Sequence, residues 1–225
     1  MLLVPSLLAV LAVFLVGVRR AGAPAFRAAF PLMAFIGLLV TLAGATLRGL
    51  VPAIPVHGAI QVALYSLMLA ALEDGLRIAS MRKLVVAHGF PLEQASGGLG
   101  ILIASAESLA TAWRMSSAPD FVAQGGGTLA GLLVLGVAAR VAFHVLACRV
   151  EYLASLRGWW CVAPLVVLHA AANTGSRIGD AYLDGPVVTA ASLGMLALAI
   201  AGFAAYARTM RLMAGERGWA ASRAE

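Results

Sequence analysis

Seven apolar stretches, at about 2–18, 29–47, 57–80, 96–115, 128–148, 159–176 and 186–207, take up most of this chain. Each approaches or exceeds the roughly 20 residues a helix needs to cross the hydrocarbon of a bilayer. The expected fold is all-α: a polytopic membrane helix bundle of about seven transmembrane helices, forming one membrane-embedded domain over 1–225. The composition agrees, because only 12% of the 225 residues are charged and 62% are hydrophobic. A soluble domain carries about 25% charged residues, so the excess apolar residues here must face lipid. Membrane lipids are the first expected partner.

Turn-forming residues separate the stretches. Pro52 and Pro55 interrupt the chain before the third, Gly89-Phe90-Pro91 before the fourth, and Gly125-Gly126-Gly127 before the fifth. Asp184-Gly185-Pro186 opens the seventh, where a proline in the first turn lacks no needed N–H. Gly97-Gly98-Leu99-Gly100 and the small residues from Ala190 to Ala205 permit close helix packing.

The net charge of +6 would raise a nucleic-acid role in a soluble protein. Here the basic residues sit between hydrophobic runs and read as topology signals, so no nucleic-acid partner is expected. One side carries Arg19, Arg20, Arg27, Arg82, Lys83, Arg149, Arg157, Arg208, Arg211, Arg217 and Arg223; the other carries Arg48, Arg114 and Arg177. Eleven against three places the N-terminus outside and the C-terminus in the cytoplasm, which requires an odd number of spans. Arg19-Arg20 follow the first apolar run, the reverse of a cleaved signal, so that run is read as a retained helix. Trp113, Trp159 and Trp160 fall near helix ends, as an interfacial aromatic belt requires.

All but one of the basic residues are Arg, an association with GC-rich bacterial genomes, and the expected location is a bacterial cytoplasmic (inner) membrane. Cys148 and Cys161 fall near the inner face, where a reducing compartment disfavours a disulfide. They are read as small buried apolar residues.

Against this background, Glu73, Asp74, Arg77, Glu107, Arg140, His144, His169 and Asn173 all lie inside apolar runs. A charge at bilayer depth costs at least ~2.5 kcal/mol, so such groups persist when they pair, face a cavity or do chemistry. Glu73 and Arg77, Arg140 and His144, and His169 and Asn173 are each four residues apart, hence on one helix face a turn apart. The polar residues concentrate in the helices at about 57–80, 96–115, 128–148 and 159–176, which points to one buried polar site. By helical rise, His144 and Glu73 lie about 9 and 7 Å inward of the middle of their helices. His57 and His88, at helix ends or in loops, are given no role.

Each of these residues also has a plain structural reading. Glu73 and Arg77 can neutralise each other, Arg140 can snorkel, the histidines can be packing residues, and Asn173 can cross-link helices. As a set they suit activation of water. Glu can act as general base, two histidines can bind Zn²⁺ and acidify its water, and Asn can donate to a developing oxyanion. The reaction would be hydrolysis, with a peptide bond in a membrane protein or peptide as the natural substrate. A non-catalytic scaffold of the same fold, a proton-coupled transporter and a haem protein with His144 and His169 as axial ligands are the other readings of these residues.

At these positions the chain resembles the intramembrane proteases of the CAAX-protease/bacteriocin-processing and PrsW type, most of all the YhfC branch of intramembrane metalloproteases. The resemblance runs from about Ala70 to Asn173. Leu72-Glu73-Asp74-Gly75-Leu76-Arg77 resembles the first motif and Gly100 to Glu107 the second. Phe143-His144 and Leu168-His169-Ala170-Ala171-Ala172-Asn173 are similar to the third and fourth. The resemblance implies Glu73 as base or metal partner, and Glu107, His144 and His169 as ligands of a possible Zn²⁺ or as polarising groups. It implies Asn173 as oxyanion donor or orienter, with Asp74, Arg77 and Arg140 in support. Related members of the wider group work by glutamate-activated water without a metal. The chain departs from the pattern at Asp74, where Glu is usual, and at Ile103, where the YhfC branch has His. It departs again at Gly136-Val137, where an acidic-Arg pair is usual. The last two departures bear on metal binding.

Overall fold

The computed structural model describes residues 3–50, 58–116, 126–182 and 185–211. All seven expected helices form: α1 (Leu3–Ala21), α2 (Ala23–Leu50), α3 (Gly58–Arg82), α4 (Leu92–Ser116), α5 (Gly126–Ser155), α6 (Ala163–Tyr182) and α7 (Gly185–Thr209). No strand occurs among the described residues. Pro52, Pro55, His57, Gly125, Asp184, Arg217 and Arg223 lie outside them.

The helix ends differ from the edges of the apolar runs. Gly22, at φ +81°, alone separates α1 from α2, so α2 starts well before position 29. A π-helical turn, Lys83–Ala87, prolongs α3, and α5 continues past 148 to Ser155. Hydropathy marks where side chains stop being apolar, whereas the backbone ladder continues as long as its groups stay bonded. Residues 159–161 are a 3₁₀ turn entered through Gly158 at φ +129°, and α6 begins only at Ala163.

Among the described residues, five segments are long and apolar enough to cross a membrane: Ala23–Val40, Gly58–Ala87, Leu92–Trp113, Gly131–Ser155 and Thr189–Thr209. The chain is a multi-pass membrane protein. α6 is diluted by His169, Asn173 and Arg177 and lies against α3 and α7. Leu8, Phe30, Leu38, Met68, Leu135 and Leu198 are exposed, as lipid-facing side chains are. Trp113, Trp159 and Trp160 are also exposed.

Two apolar clusters hold the bundle. One joins Phe26, Met81, Leu84, Leu99, Ile103, Cys148 and Tyr152 across α2, α3, α4 and α5. The other joins Ile78, Phe143, Val150, Cys161, Leu165 and Phe203 across α3, α5, α6 and α7. The two cysteines are free, buried and in different clusters, as expected of packing residues. Ile103 is a core residue.

The α4–α5 contact is backbone against backbone. A Cβ on Gly100 would stand 2.6 Å from the Val145 nitrogen and 2.7 Å from its Cα, closer than real Cβ contacts. In a bilayer, where helices gain little from burying apolar surface, such close approach is what allows strong van der Waals packing.

Candidate functional site

The site begins on α3, whose residues 73, 74 and 77 all point into the bundle. The Arg77 side chain is fully buried and serves three carboxylates. Its Nη2 donates to Glu73 Oε1 at 2.5 Å; its Nη1 donates to Asp74 Oδ1 at 3.1 Å and to Glu151 Oε1 at 2.6 Å. The first two bonds follow from i,i+4 and i,i+3 spacing on one helix. The third crosses to α5.

Two histidines complete the arrangement. His169 of α6 places Nδ1 2.7 Å from Asp74 Oδ1. His144 of α5 places Nε2 2.9 Å from Glu107 Oε2 of α4. The ring of Phe143 touches both imidazoles, at centroid distances of 5.0 Å from His144 and 5.3 Å from His169. A carboxylate behind an imidazole fixes its tautomer and leaves the other ring nitrogen for a ligand or substrate.

Glu73 links the two halves. Ligand atoms of Glu73, Glu107 and His144 lie within 4.8 Å of one another, and so do those of Glu73, Asp74 and His169. The expected ligand set of His144, His169 and Glu107 is thus divided between the two groups. The reason is that Asp74 draws His169 to its own side while Glu107 holds His144.

Arg140 Nη2 donates to Thr111 Oγ1 at 3.3 Å, so it bridges α5 and α4 instead of merely snorkelling along its stem. Asn173, a turn beyond His169 on α6, is half-buried. His88 is exposed beside Phe90, with a centroid distance of 6.0 Å.

Glu151 was missing from the sequence expectation, which ended the fifth helix at 148. It is fully buried. A signal was present: Glu151 follows His144 by seven residues, two helical turns, and so shares its face.

Counted with every carboxylate ionised and both histidines neutral, the charges of the site do not balance. Four carboxylates (Glu73, Asp74, Glu107 and Glu151) share the region with two guanidiniums, Arg77 and Arg140. Asp74 Oδ2, Glu151 Oε2, Arg77 Nε and His144 Nδ1 are buried without a hydrogen-bond partner. Unsatisfied buried groups are costly, so these atoms keep hydrogen-bonding capacity for a further partner. The shortfall of two positive charges matches one divalent cation or two protonated imidazoles. Two histidines among carboxylates are a chemically suitable donor set for Zn²⁺.

No protein-family model, no curated protein and no solved structure matches the chain.

Proposed function

We propose that this protein is an intramembrane hydrolase that cleaves a peptide bond of a membrane-associated substrate, with Glu73 as the base that activates water. The observation that supports this best is the position of Glu73: Arg77 holds one oxygen, and the carboxylate stands within 4.8 Å of the ligand atoms of both histidine–carboxylate pairs. A general base must be oriented and must have a polarising partner close to its water, and this arrangement offers both. The sequence resemblance to intramembrane proteases points the same way.

In a metal-dependent form Glu73 would instead be a ligand, holding a Zn²⁺ ion with Glu107 and His144, and the ion when bound would supply an acidified water. Asp74 orients His169 towards the same carboxylate, and Arg77 fixes Glu73 and Asp74 together. Without a metal, Glu73 would deprotonate water directly and His144 or His169 would polarise the scissile carbonyl. Asn173 would then act as an oxyanion donor or an orienting group. The location proposed is a bacterial cytoplasmic membrane.

A proton-coupled transporter is the second reading. The contacts of Asp74 with His169 and of Glu107 with His144 favour it, because acid–histidine chains also relay protons.

The test uses membranes from cells expressing either the wild type or Glu73→Gln. Peptide N-termini created by proteolysis are quantified in both. New N-termini that vanish in Glu73→Gln, at equal protein level and thermal stability, are the expected result. Identical N-termini in both would reject Glu73-dependent proteolysis.

A further inference from the structure

Exposure changes along the polar network in one direction. The side chains of Asp74, Arg77 and Glu151 are fully buried, Glu73 is 12% exposed and Glu107 43%. Past Glu107 the polar lining continues. Thr111, four residues further along α4, receives the hydrogen bond from Arg140, which lies one turn before His144 on α5. Glu107 and Thr111 thus form one face of α4, and His144 and Arg140 the facing stripe of α5. In the opposite direction the bundle is closed by Met81, Leu84, Leu99, Cys148 and Tyr152, all almost completely buried. The half-exposed residues lie towards the C-terminal end of α4 and the N-terminal half of α5, the end that the charge count places outside.

We infer that water, and with it the substrate, reaches Glu73 from the extracytoplasmic half of the bundle, through a polar mouth between α4 and α5 formed by Glu107, Thr111 and Arg140. The substrate half of this inference rests on the hydrolase reading; the water half does not. A half-exposed carboxylate facing hydrocarbon is strongly disfavoured, whereas the same group facing a water-filled mouth is not. The neighbouring hydroxyl and guanidinium give that water further partners. The depth of Glu73 and His144 within their helices does not oppose this, because a site can lie towards one face and still open to the other.

Thiol labelling tests the mouth without reference to cleavage. Thiolates attack maleimides, so a cysteine reacts where water lets it ionise and the reagent reaches it. Thr111→Cys and Glu107→Cys are each treated with a charged, membrane-impermeant maleimide, in spheroplasts and in inverted vesicles. The wild type, with both cysteines buried, provides the background. Leu156→Cys, exposed just after α5, reports orientation and is expected to react only in inverted vesicles. Leu109→Cys, exposed at nearly the same depth but on the opposite side of α4 from Glu107 and Thr111, is expected to stay unlabelled.

The expected result is labelling of Thr111→Cys or Glu107→Cys in spheroplasts, at least tenfold above wild type. Labelling of both only in inverted vesicles would overturn the inference, as would reaction with a lipid-soluble maleimide alone. Labelling of Leu156→Cys from outside would overturn the stated side. Loss of the hydrolase reading through the Glu73→Gln experiment would leave these labelling results as they stand.

Discussion

Arg77 on α3 and Glu151 on α5, 74 residues apart in sequence, meet as a fully buried ion pair at 2.6 Å. The pair ties together the two helices that carry Glu73 and His144. Arg77 also holds Glu73 and Asp74, so three carboxylates of the site are positioned by one guanidinium.

Removing that guanidinium should be far worse than neutralising one of its partners. Arg77→Met leaves three buried carboxylates without their cation and should cost about 3–5 kcal/mol, as breaking buried ion pairs does. Glu151→Gln keeps an acceptor and leaves Arg77 two carboxylates, so about 1–3 kcal/mol is expected. Unfolding of the detergent-solubilised proteins measures both. Equal losses would mean that the Arg77–Glu151 pair, and not the three-way hub, carries the stability.

Gly100 sets how closely α4 approaches α5, and Glu107 lies two turns further along the same helix face. Gly100→Ala should therefore cost about 1–3 kcal/mol through overpacking against Val145. It should also pull Glu107 away from His144 and lower any Glu73-dependent cleavage. A variant with wild-type stability and cleavage would show that the helices can separate there at no cost.

Phe143 touches both imidazoles and also packs edge-on against Phe203, at a centroid distance of 5.3 Å. Phe143→Ala should cost about 3–5 kcal/mol. Phe143→Leu, which keeps most of the volume, should lose less stability yet still loosen the histidines. The check is thermal unfolding together with histidine NMR line widths in the two variants.

One divalent cation would close the charge shortfall, as two protonated imidazoles would, and a metal count separates the two. Elemental analysis of detergent-purified protein should find about one zinc per chain, lost in the double variant His144→Ala/His169→Ala. No metal in either protein would leave the glutamate-driven mechanism. It would also give the absence of histidine at position 103 a chemical consequence.

The seven helices and the polar character of the third to sixth were legible in the chain, because both depend on local features. Bilayer thickness sets a minimum apolar length, and helical period puts residues four apart on one face. The pair of Glu73 with Arg77 followed from that period, and the structure contains it. The pairing of Arg140 with Thr111, and of His169 with Asp74, did not follow, because each joins two helices through the rotation of both. Glu151 went unseen because hydropathy ended its helix too early.

Sequence by itself determined that this chain is a membrane helix bundle with ionisable groups inside it, since lipid leaves a long apolar run no other stable choice. Only the tertiary structure decided which groups meet, that Arg77 serves three carboxylates and that Glu73 stands between two histidines. Those contacts depend on helix rotation and separation, set by backbone contacts such as Gly100 against Val145, which no local pattern encodes.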